Sequence, residues 1–528
     1  MAYIGRKSDN IIDVLGLYQK LDGARMTEYD SLLARFKEGT VLTTATGIVY
    51  WDMETYMPPR GIMLRGEQLS VLSKITHRMA TDPEIGKLLD SVDKSQDSLD
   101  ETAKRNIYLI KKAYNEATKL PEKLVGEIAQ QQAISTETWK KARAANNWKM
   151  FEPELKKLVD LCYQRAELLQ DIKGTSTIYD TLIDDFEPKM TTKEITRVFS
   201  ELRDGLIPLT EKFSELSSAV DTSFMQREVP IDIQRKIATD LCTLVGYDTT
   251  TANAGGRIDE VQHPFTLGYY DDVRITVKYH PTNFSSAFFA ILHEAGHALY
   301  EQNLNQEWKF MPIGAAASSG IHESQSRFVE NMIGRTPEFW KFYLPKLNKI
   351  TGNMFSDIPL ERFSKASNII TPSKIRVEAD EVTYSLHIII RFEIERDLFT
   401  GKIEVSELPV VWNQKYEEYL GLEIESDTEG VLQDTHWGSG LYGYFPSYAL
   451  GNVYDGMWFD QMSKDIPGWY EGIAEGHIKP AIDWHIQNVH SRSNLHSPGD
   501  LAKLVTGKDL TAKPFLKFLE NKYSKIFL

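Results

Sequence analysis

The sequence has few cysteines, no long apolar run and no excess of positive charge, and each absence excludes a class of protein. Two cysteines, Cys162 and Cys242, are too few for a disulfide framework among 528 residues and favour a reducing cytoplasm. The longest apolar stretches, such as residues 287–292, fall far short of the about 18 residues that predict a membrane span. The first eight residues lack an apolar core, so no signal peptide is predicted.

The charge balance is acidic. Lys and Arg number 60 and Asp and Glu number 75, which gives a formal net charge of −15. Nucleic-acid-binding proteins normally carry a basic surface, so no nucleic-acid partner is expected. Hydrophobic residues make up 42% and charged residues 26%, which is ordinary globular usage and excludes disorder of the whole chain.

No repeat, low-complexity tract or long Pro/Gly/Ser linker divides the chain. Apolar residues recur three and four positions apart, which predicts amphipathic helices, over residues 11–18, 107–117, 155–169 and 195–206. Thr191 with Glu194, and Thr336 before Pro337, predict helix starts. We therefore predict a mainly α protein, with one large helical body spanning residues 1–528 as a single domain.

One segment predicts a strand. Residues 273–279 alternate polar and apolar side chains and are rich in β-branched residues. They follow residues 267–272, so a hairpin or a three-stranded sheet is expected. The sequence therefore predicts a small β element within the helical body.

The motif HEAGH lies in a nearly continuous apolar segment, which predicts a buried helix. Its i, i+4 spacing places His293 and His297 on one helical face, where two imidazoles can bind one zinc ion. Glu294 lies roughly a quarter turn away, beside the metal rather than on it, where it can accept a proton from a water molecule. Burying these polar groups without a partner is costly, which favours a metal site over core histidines.

A catalytic zinc ion needs a third protein ligand. Glu323 lies in a polar cluster at the predicted start of a second helix and is our first candidate. Glu301, Glu307 and Glu330 compete with it, and spacing alone leaves the choice open.

Two further segments have polar patterns. Residues 373–400 read as one long helix with Arg376, Asp380, Thr383 and His387 along one face, where an ion pair on a solvated surface is the simpler interpretation. Residues 430–448 are rich in glycine and aromatics and predict a loop of the kind that often carries binding residues. The histidines near the C-terminus lack ligand spacing and are interpreted as surface or core residues.

The chain resembles the thermostable carboxypeptidase family of HExxH metallocarboxypeptidases. The motifs that carry the resemblance stand in the family's order at residues 263–265 (HPF), 272–276 (DxRxT), 293–297 (HEAGH), 322–325 (HESQ), 375–380 (IRxxAD) and 430–437 (GxxQDxHW). Residues 51–58 also resemble the family's N-terminal region. HExxH alone is shared by many peptidases, but the ordered set is specific and covers nearly the whole chain.

The resemblance implies a mostly helical single-domain subunit with a deep active-site groove, assembled as a homodimer. It implies a metal-dependent carboxypeptidase of broad specificity that uses zinc, or cobalt, with one ion per chain. It also implies that Glu323 is the third metal ligand and that Arg376 and His436 are functional.

The expected reaction is attack of a metal-activated water on the last peptide bond, with Glu294 as the base that then protonates the leaving amine. A second donor is needed for the oxyanion, and three side chains remain alternatives: His436, Tyr444 and Tyr448.

An arginine fork suits the terminal carboxylate, and we expect Arg376 in this role, with Arg274 second. The strand containing Arg274 is expected to pair with the peptide substrate. The remaining motif residues are expected to orient these groups: His263, Asp272, His322, Gln325, Asp380, Gln433 and Asp434.

Two other functions stay open. A related metallo-oligopeptidase would cut internal bonds and accept peptides with a blocked C-terminus. A metal-binding scaffold would hold zinc without releasing amino acids, and Glu294 would then have no purpose.

Overall fold

A computed structural model describes residues 27–94 and 99–528 of the chain. Helices dominate these residues, which confirms the predicted mainly α class. The helix predicted over residues 11–18 lies outside the described residues. Among the helices that the structure describes, none is long and apolar enough to cross a membrane.

In the described residues the α-helices are, in chain order, α1 (Glu28–Thr55), α2 (Ile62–Ala80), α3 (Pro83–Asp93), α4 (Glu101–Lys119), α5 (Glu122–Ala144), α6 (Trp148–Lys173), α7 (Ile178–Ile183), α8 (Thr192–Ser217), α9 (Ile231–Val245), α10 (Phe284–Gln302), α11 (Ser319–Arg327), α12 (Pro337–Thr351), α13 (Leu360–Ala366), α14 (Tyr384–Phe399), α15 (Leu408–Leu420), α16 (Phe445–Asp465), α17 (Trp469–Gly472), α18 (Lys479–Asn488), α19 (Pro498–Thr506) and α20 (Lys513–Phe527). A π-helical segment, Phe328–Gly334, continues α11.

Local capping signals start these helices where the sequence predicts. The hydroxyl of Thr191 accepts a hydrogen bond from the backbone N–H of Glu194 at the start of α8. Thr336 caps α12 in the same way, with Pro337 at the first helical position. Asn283 caps α10, so the helix that carries HEAGH has a defined beginning.

The predicted β element is a three-stranded sheet of β1 (Gly256–Glu260), β2 (Thr266–Tyr269) and β3 (Asp272–Val277) in the order β1–β3–β2. The central strand β3 is parallel to β1 and antiparallel to β2. Both of its edges are therefore already paired. The prediction that this strand adds the peptide substrate is wrong, because only an edge strand has unpaired backbone groups.

The prediction of one long helix over residues 373–400 is also wrong at the start of the segment. Only a single 3-10 turn forms at Arg376–Glu378, and α14 begins at Tyr384. The cause is Asp380, whose carboxylate accepts hydrogen bonds from the backbone N–H groups of Thr371, Val382 and Thr383. Such side-chain bonds to the backbone compete with helix formation.

Two glycines bring three helices close together around α11. A Cβ on Gly296 of α10 would lie 2.4 Å from the backbone oxygen of Gln325. A Cβ on Gly451 of α16 would lie 2.9 Å from Cγ of Glu323. Since only glycine permits both approaches, α11 is held tightly between α10 and α16, and Glu323 is directed toward α10.

Candidate metal centre

The ligand atoms of His293, His297 and Glu323 converge, all lying within 4.8 Å of one another. Oε2 of Glu323 lies 3.7 Å from Nε2 of His293 and 3.4 Å from Nε2 of His297. Ligands at about 2.0–2.1 Å from a tetrahedral zinc ion are roughly 3.3 Å apart. The two distances from Glu323 are therefore close to those between the ligands of one tetrahedral ion.

The charge states of His297 and Glu323 also suit a metal ion. Burial lowers the pKa of His297 to about 3, so this imidazole is neutral. Burial by itself would raise the pKa of Glu323, but Arg327 and His293 beside it lower that pKa well below its usual range. Nε of Arg327 donates to Oε1 of Glu323 at 2.8 Å. A neutral imidazole and a charged carboxylate are the forms that bind metal.

Each histidine has a second partner on its other ring nitrogen. Nδ1 of His293 lies 3.0 Å from Oε2 of Glu330. Nδ1 of His297 lies 2.6 Å from His322, whose Nε2 lies 3.0 Å from Oε1 of Glu301. Glu330 and Glu301, which spacing left as competing ligands, thus lie behind the imidazoles, where they orient the rings.

Glu294 lies beside this group and not within it. Its Oε2 accepts a hydrogen bond of 2.6 Å from the hydroxyl of Thr266, on β2. The side chain is buried, and burial raises the pKa of its carboxyl. A carboxylate with a raised pKa next to a metal site suits a general base.

We call His293, His297 and Glu323 together the metal group. A cavity of about 520 Å³ opens beside it. Its walls include the side chains of His293, Glu294, Arg327 and Tyr384. The cavity has room for the terminal residue of a peptide next to Glu294.

Arg376 is paired differently from the prediction. Its Nε and Nη2 donate to Oδ1 of Asp434 at 3.1 and 2.7 Å, and Nε of Arg391 donates to the other oxygen at 2.7 Å. The predicted intrahelical ion pair with Asp380 is wrong, because residue 380 precedes the helix. Nη1 of Arg376 lies 3.4 Å from the hydroxyl of Tyr384. The arginine is therefore fixed by a buried network beside the cavity.

Gln433 supports the same network. Its Oε1 accepts hydrogen bonds from the backbone N–H of Arg376 and from Nη2 of Arg391, at 3.0 and 2.8 Å. Its Nε2 donates to the backbone oxygen of Lys374 at 2.9 Å. The segment around residue 376 is thus bound to the loop that precedes His436.

The three predicted oxyanion candidates lie together. The ring of His436 stacks on that of Tyr444 at 5.8 Å, and Nε2 of His436 lies 3.4 Å from the hydroxyl of Tyr448. The Arg376 guanidinium lies 5.4 Å from the Tyr448 ring. Burial lowers the pKa of His436 to about 4, so this histidine is neutral and can donate one N–H.

Gln325 anchors α11 on the side away from the metal group. Its Oε1 lies 2.8 Å from Nδ1 of His485 and 2.8 Å from Nε2 of His490. Both histidines are buried, which agrees with the core interpretation of these residues. They connect the helix that carries Glu323 to α18 and the turn after it.

The strand of the DxRxT segment packs against α10 as expected, but its Asp272 and Arg274 side chains are not brought to the metal group. Arg274 pairs with Asp272 and lies 5.8 Å from the ring of Trp51. Alternation along β3 places Arg274 on the face opposite Ile275, which is buried. Arg274 lines a separate, mostly apolar cavity of about 690 Å³ between α1 and the sheet. His263 is exposed in the loop between β1 and β2.

Sequence reasoning missed four polar residues of the site. Arg327 stands four residues after Glu323, so helical spacing could have revealed it. The other three could not be found by local spacing, because each meets its partner from a different element: Thr266, Tyr384 and Arg391.

A helical body with a two-histidine, one-carboxylate group and an adjacent glutamate on the same helix defines a metallopeptidase of the HExxH type. The family model described as Carboxypeptidase Taq (M32) metallopeptidase matches residues 31–523. The chain belongs to this family and is a metallocarboxypeptidase, an exopeptidase that acts on peptides.

Relatives match along nearly their whole length. Thermostable carboxypeptidase 1 of Thermus thermophilus is 37% identical over 509 residues, covering 94% of this chain and 99% of the relative. Carboxypeptidase 1 of Bacillus subtilis is 36% identical and covers 95% of this chain and 98% of the relative. The crystal structure of an M32 carboxypeptidase from Deinococcus radiodurans has a TM-score of 0.90 at 33% identity, covering 95% and 99% of the two chains.

Proposed function

We propose that this enzyme releases single amino acids from the C-terminus of peptides, with broad specificity, by attack of water on the last peptide bond. Zinc, with cobalt as the alternative, is held by His293, His297 and Glu323, one ion per chain. The observation that carries the proposal is the convergence of these three donors beside Glu294 and next to the cavity.

A bound zinc or cobalt ion supplies Lewis acidity for the scissile carbonyl and the attacking water. Glu294 takes the proton of the water and gives it to the leaving amine, while Thr266 keeps the carboxylate in place. The oxyanion accepts hydrogen bonds from the aromatic cluster: His436, Tyr444 and Tyr448. The neutral state of His436 supports this role.

Arg376 binds the terminal carboxylate of the peptide. Asp434 occupies the Nε side of its guanidinium, which leaves the Nη1–Nη2 edge as a fork for a second carboxylate. The position of Arg274 on the opposite face of the sheet favours Arg376 for this role. Asp434 and Gln433 orient the fork, His322 orients His297, and Gln325 anchors the helix that carries Glu323.

We further propose a single-domain subunit that works as a homodimer in a reducing cytoplasm and does not bind nucleic acid. Both cysteines are buried and free, which supports the reducing compartment. The net charge of −15 opposes nucleic-acid binding. The family resemblance supports the homodimer.

Mass spectrometry of one peptide over time tests the function. An unblocked peptide should lose residues one by one from its C-terminus, and the same peptide with a C-terminal amide should react poorly. Internal cleavage of both peptides at equal rates would replace the exopeptidase with the oligopeptidase alternative.

A further inference from the structure

The carboxylate of Glu395 is buried away from the metal group and has three hydrogen-bond donors. The residue lies on α14 and is 0% exposed. Oε1 accepts from Nε1 of Trp437 at 2.7 Å. Oε2 accepts from the backbone N–H of Gly443 and from the hydroxyl of Tyr179, both at 2.8 Å.

Two of these donors are next to oxyanion candidates in the sequence. Trp437 directly follows His436, and Gly443 directly precedes Tyr444. One carboxylate thus holds both ends of the loop of residues 437–443.

We propose that Glu395 is a positioning residue for the peptidase reaction, which sets the places of His436 and Tyr444 by holding the loop at Trp437 and Gly443. This inference rests on the proposed function, in which His436 and Tyr444 contact the reacting peptide bond.

The chemistry of the donors makes Glu395 hard to replace. An indole N–H and a backbone N–H can only donate, so both require an acceptor. Burial raises the pKa of Glu395 to about 7. When the Glu395 carboxyl is protonated, its O–H can donate to the hydroxyl oxygen of Tyr179. Lone pairs on both carboxyl oxygens still accept from Trp437 and Gly443. A glutamine has one oxygen, and its NH₂ group must face one of the two N–H donors.

Other contacts hold the middle of the loop. Gln132 and Thr136 of α5 donate to the backbone oxygens of Ser439 and Gly438, at 3.0 and 3.2 Å. Gly443 has φ +82°, and a Cβ there would lie 2.6 Å from the backbone of Leu182. Because the loop cannot shift toward α7, a donor facing Trp437 or Gly443 must displace the neighbouring His436 or Tyr444.

The test compares Glu395→Gln with Glu393→Gln. Glu393 is on the same helix, two residues away, and bonds to Lys415 and Tyr419 rather than to the loop. Turnover of an unblocked peptide should fall about 10²-fold in Glu395→Gln, the cost of a misplacement of about 1 Å. KM, bound metal and Tm should change little, and Glu393→Gln should keep wild-type kcat.

A double-mutant cycle separates positioning from general loosening of the fold. If Glu395 acts through His436 and Tyr444, the loss caused by Glu395→Gln should largely disappear in a background that already carries His436→Ala and Tyr444→Phe. Full additivity, or wild-type kcat in Glu395→Gln, would overturn the inference. If His436→Ala and Tyr444→Phe themselves keep wild-type kcat, then the proposed roles of those residues fail instead.

Discussion

The hydroxyl of Thr266 donates a hydrogen bond of 2.6 Å to Oε2 of Glu294, and this contact joins the sheet to the helix that carries His293 and His297. Thr266 lies on β2, an edge strand, and Glu294 on α10. The bond fixes one carboxylate oxygen, which leaves the other free to accept a proton. The orientation of the proposed base therefore depends on a strand that is distant from HEAGH in the sequence.

Replacing Thr266 by valine should lower turnover because the base loses its orienting donor. A hydrogen bond to a charged group contributes about 1.5–3 kcal/mol, so kcat/KM should fall roughly 10- to 100-fold. Steady-state kinetics on one unblocked peptide measure the loss. Thr266→Ser keeps the hydroxyl and should restore most of the activity, and unchanged kinetics in the valine variant would exclude the role.

Removing either histidine should remove the metal. His293→Ala and His297→Ala should each lose the bound ion and the activity, since two ligands hold it weakly. Elemental analysis of the purified proteins should give about one ion per chain for wild type. Chelation of wild type should abolish activity while circular dichroism retains most of the helix signal. A fully active His293→Ala protein with stoichiometric metal would refute the site.

Replacing Glu294 by glutamine should separate chemistry from metal binding. The variant keeps its size and its metal, but turnover should drop by roughly 10²–10⁴-fold, the usual contribution of a positioned acid or base. Glu323→Gln should instead weaken metal affinity, because it changes a ligand. Metal titration and kinetics on both variants distinguish the two roles, and normal turnover in Glu294→Gln would contradict the assignment.

Arg376→Ala should reduce the preference for a free C-terminus. Losing one or two charge-assisted bonds of about 1.5–3 kcal/mol each should cost roughly 10- to 1000-fold in kcat/KM on the free acid. The C-terminal amide should be affected far less, so the variant should treat the two peptides nearly alike. Arg376→Lys should recover only part, because an ammonium lacks the fork.

Arg274→Ala is the matched control for this experiment. It removes an arginine that pairs with Asp272 on the other face of the sheet. The control should keep the full preference for the free acid. If instead Arg274→Ala loses that preference and Arg376→Ala keeps it, the carboxylate is bound by Arg274.

The buried carboxyl of Glu187 should make the stability of the folded protein depend on pH. Burial raises the pKa of its carboxyl from 4.5 to about 7, with hydrogen bonds from Gly320 and Ser447 opposing the shift. Between these two pH values the folded protein holds a proton that the unfolded chain has lost, so this group's contribution to stability falls as pH rises.

Glu187→Gln cannot ionise and should escape that loss. Its Tm, compared with that of wild type, should therefore improve as pH rises from about 4.5 to about 7.5. Thermal unfolding of both metal-loaded proteins at constant ionic strength measures the difference. A difference that does not change with pH would show that Glu187 titrates alike in the folded and unfolded chains.

The sequence by itself determined the features that depend on local spacing. HEAGH places two imidazoles one turn apart wherever it forms a helix, and the caps at Thr191 and Thr336 begin helices through the residues next to them. The mainly α class and the small β element follow from the periodicity of side chains along the chain.

Only the tertiary structure decided which carboxylate joins the histidines. Glu301, Glu307, Glu323 and Glu330 are all near enough in the sequence, and spacing made Glu323 the first candidate without excluding the others. The glycines at 296 and 451 allow α10 and α16 to pack against α11, which directs Glu323 to the metal group. Glu330 then contacts the far side of the His293 ring, and Glu301 contacts His322.

The same holds for Arg376, whose partner is 58 residues away in the sequence at Asp434. Local spacing predicted Asp380 as its partner on a shared helix, but the carboxylate of Asp380 binds backbone N–H groups and the helix begins only at Tyr384. Helical periodicity describes contacts within a few turns. Contacts between distant segments depend on the packing of the whole chain, which no local pattern encodes.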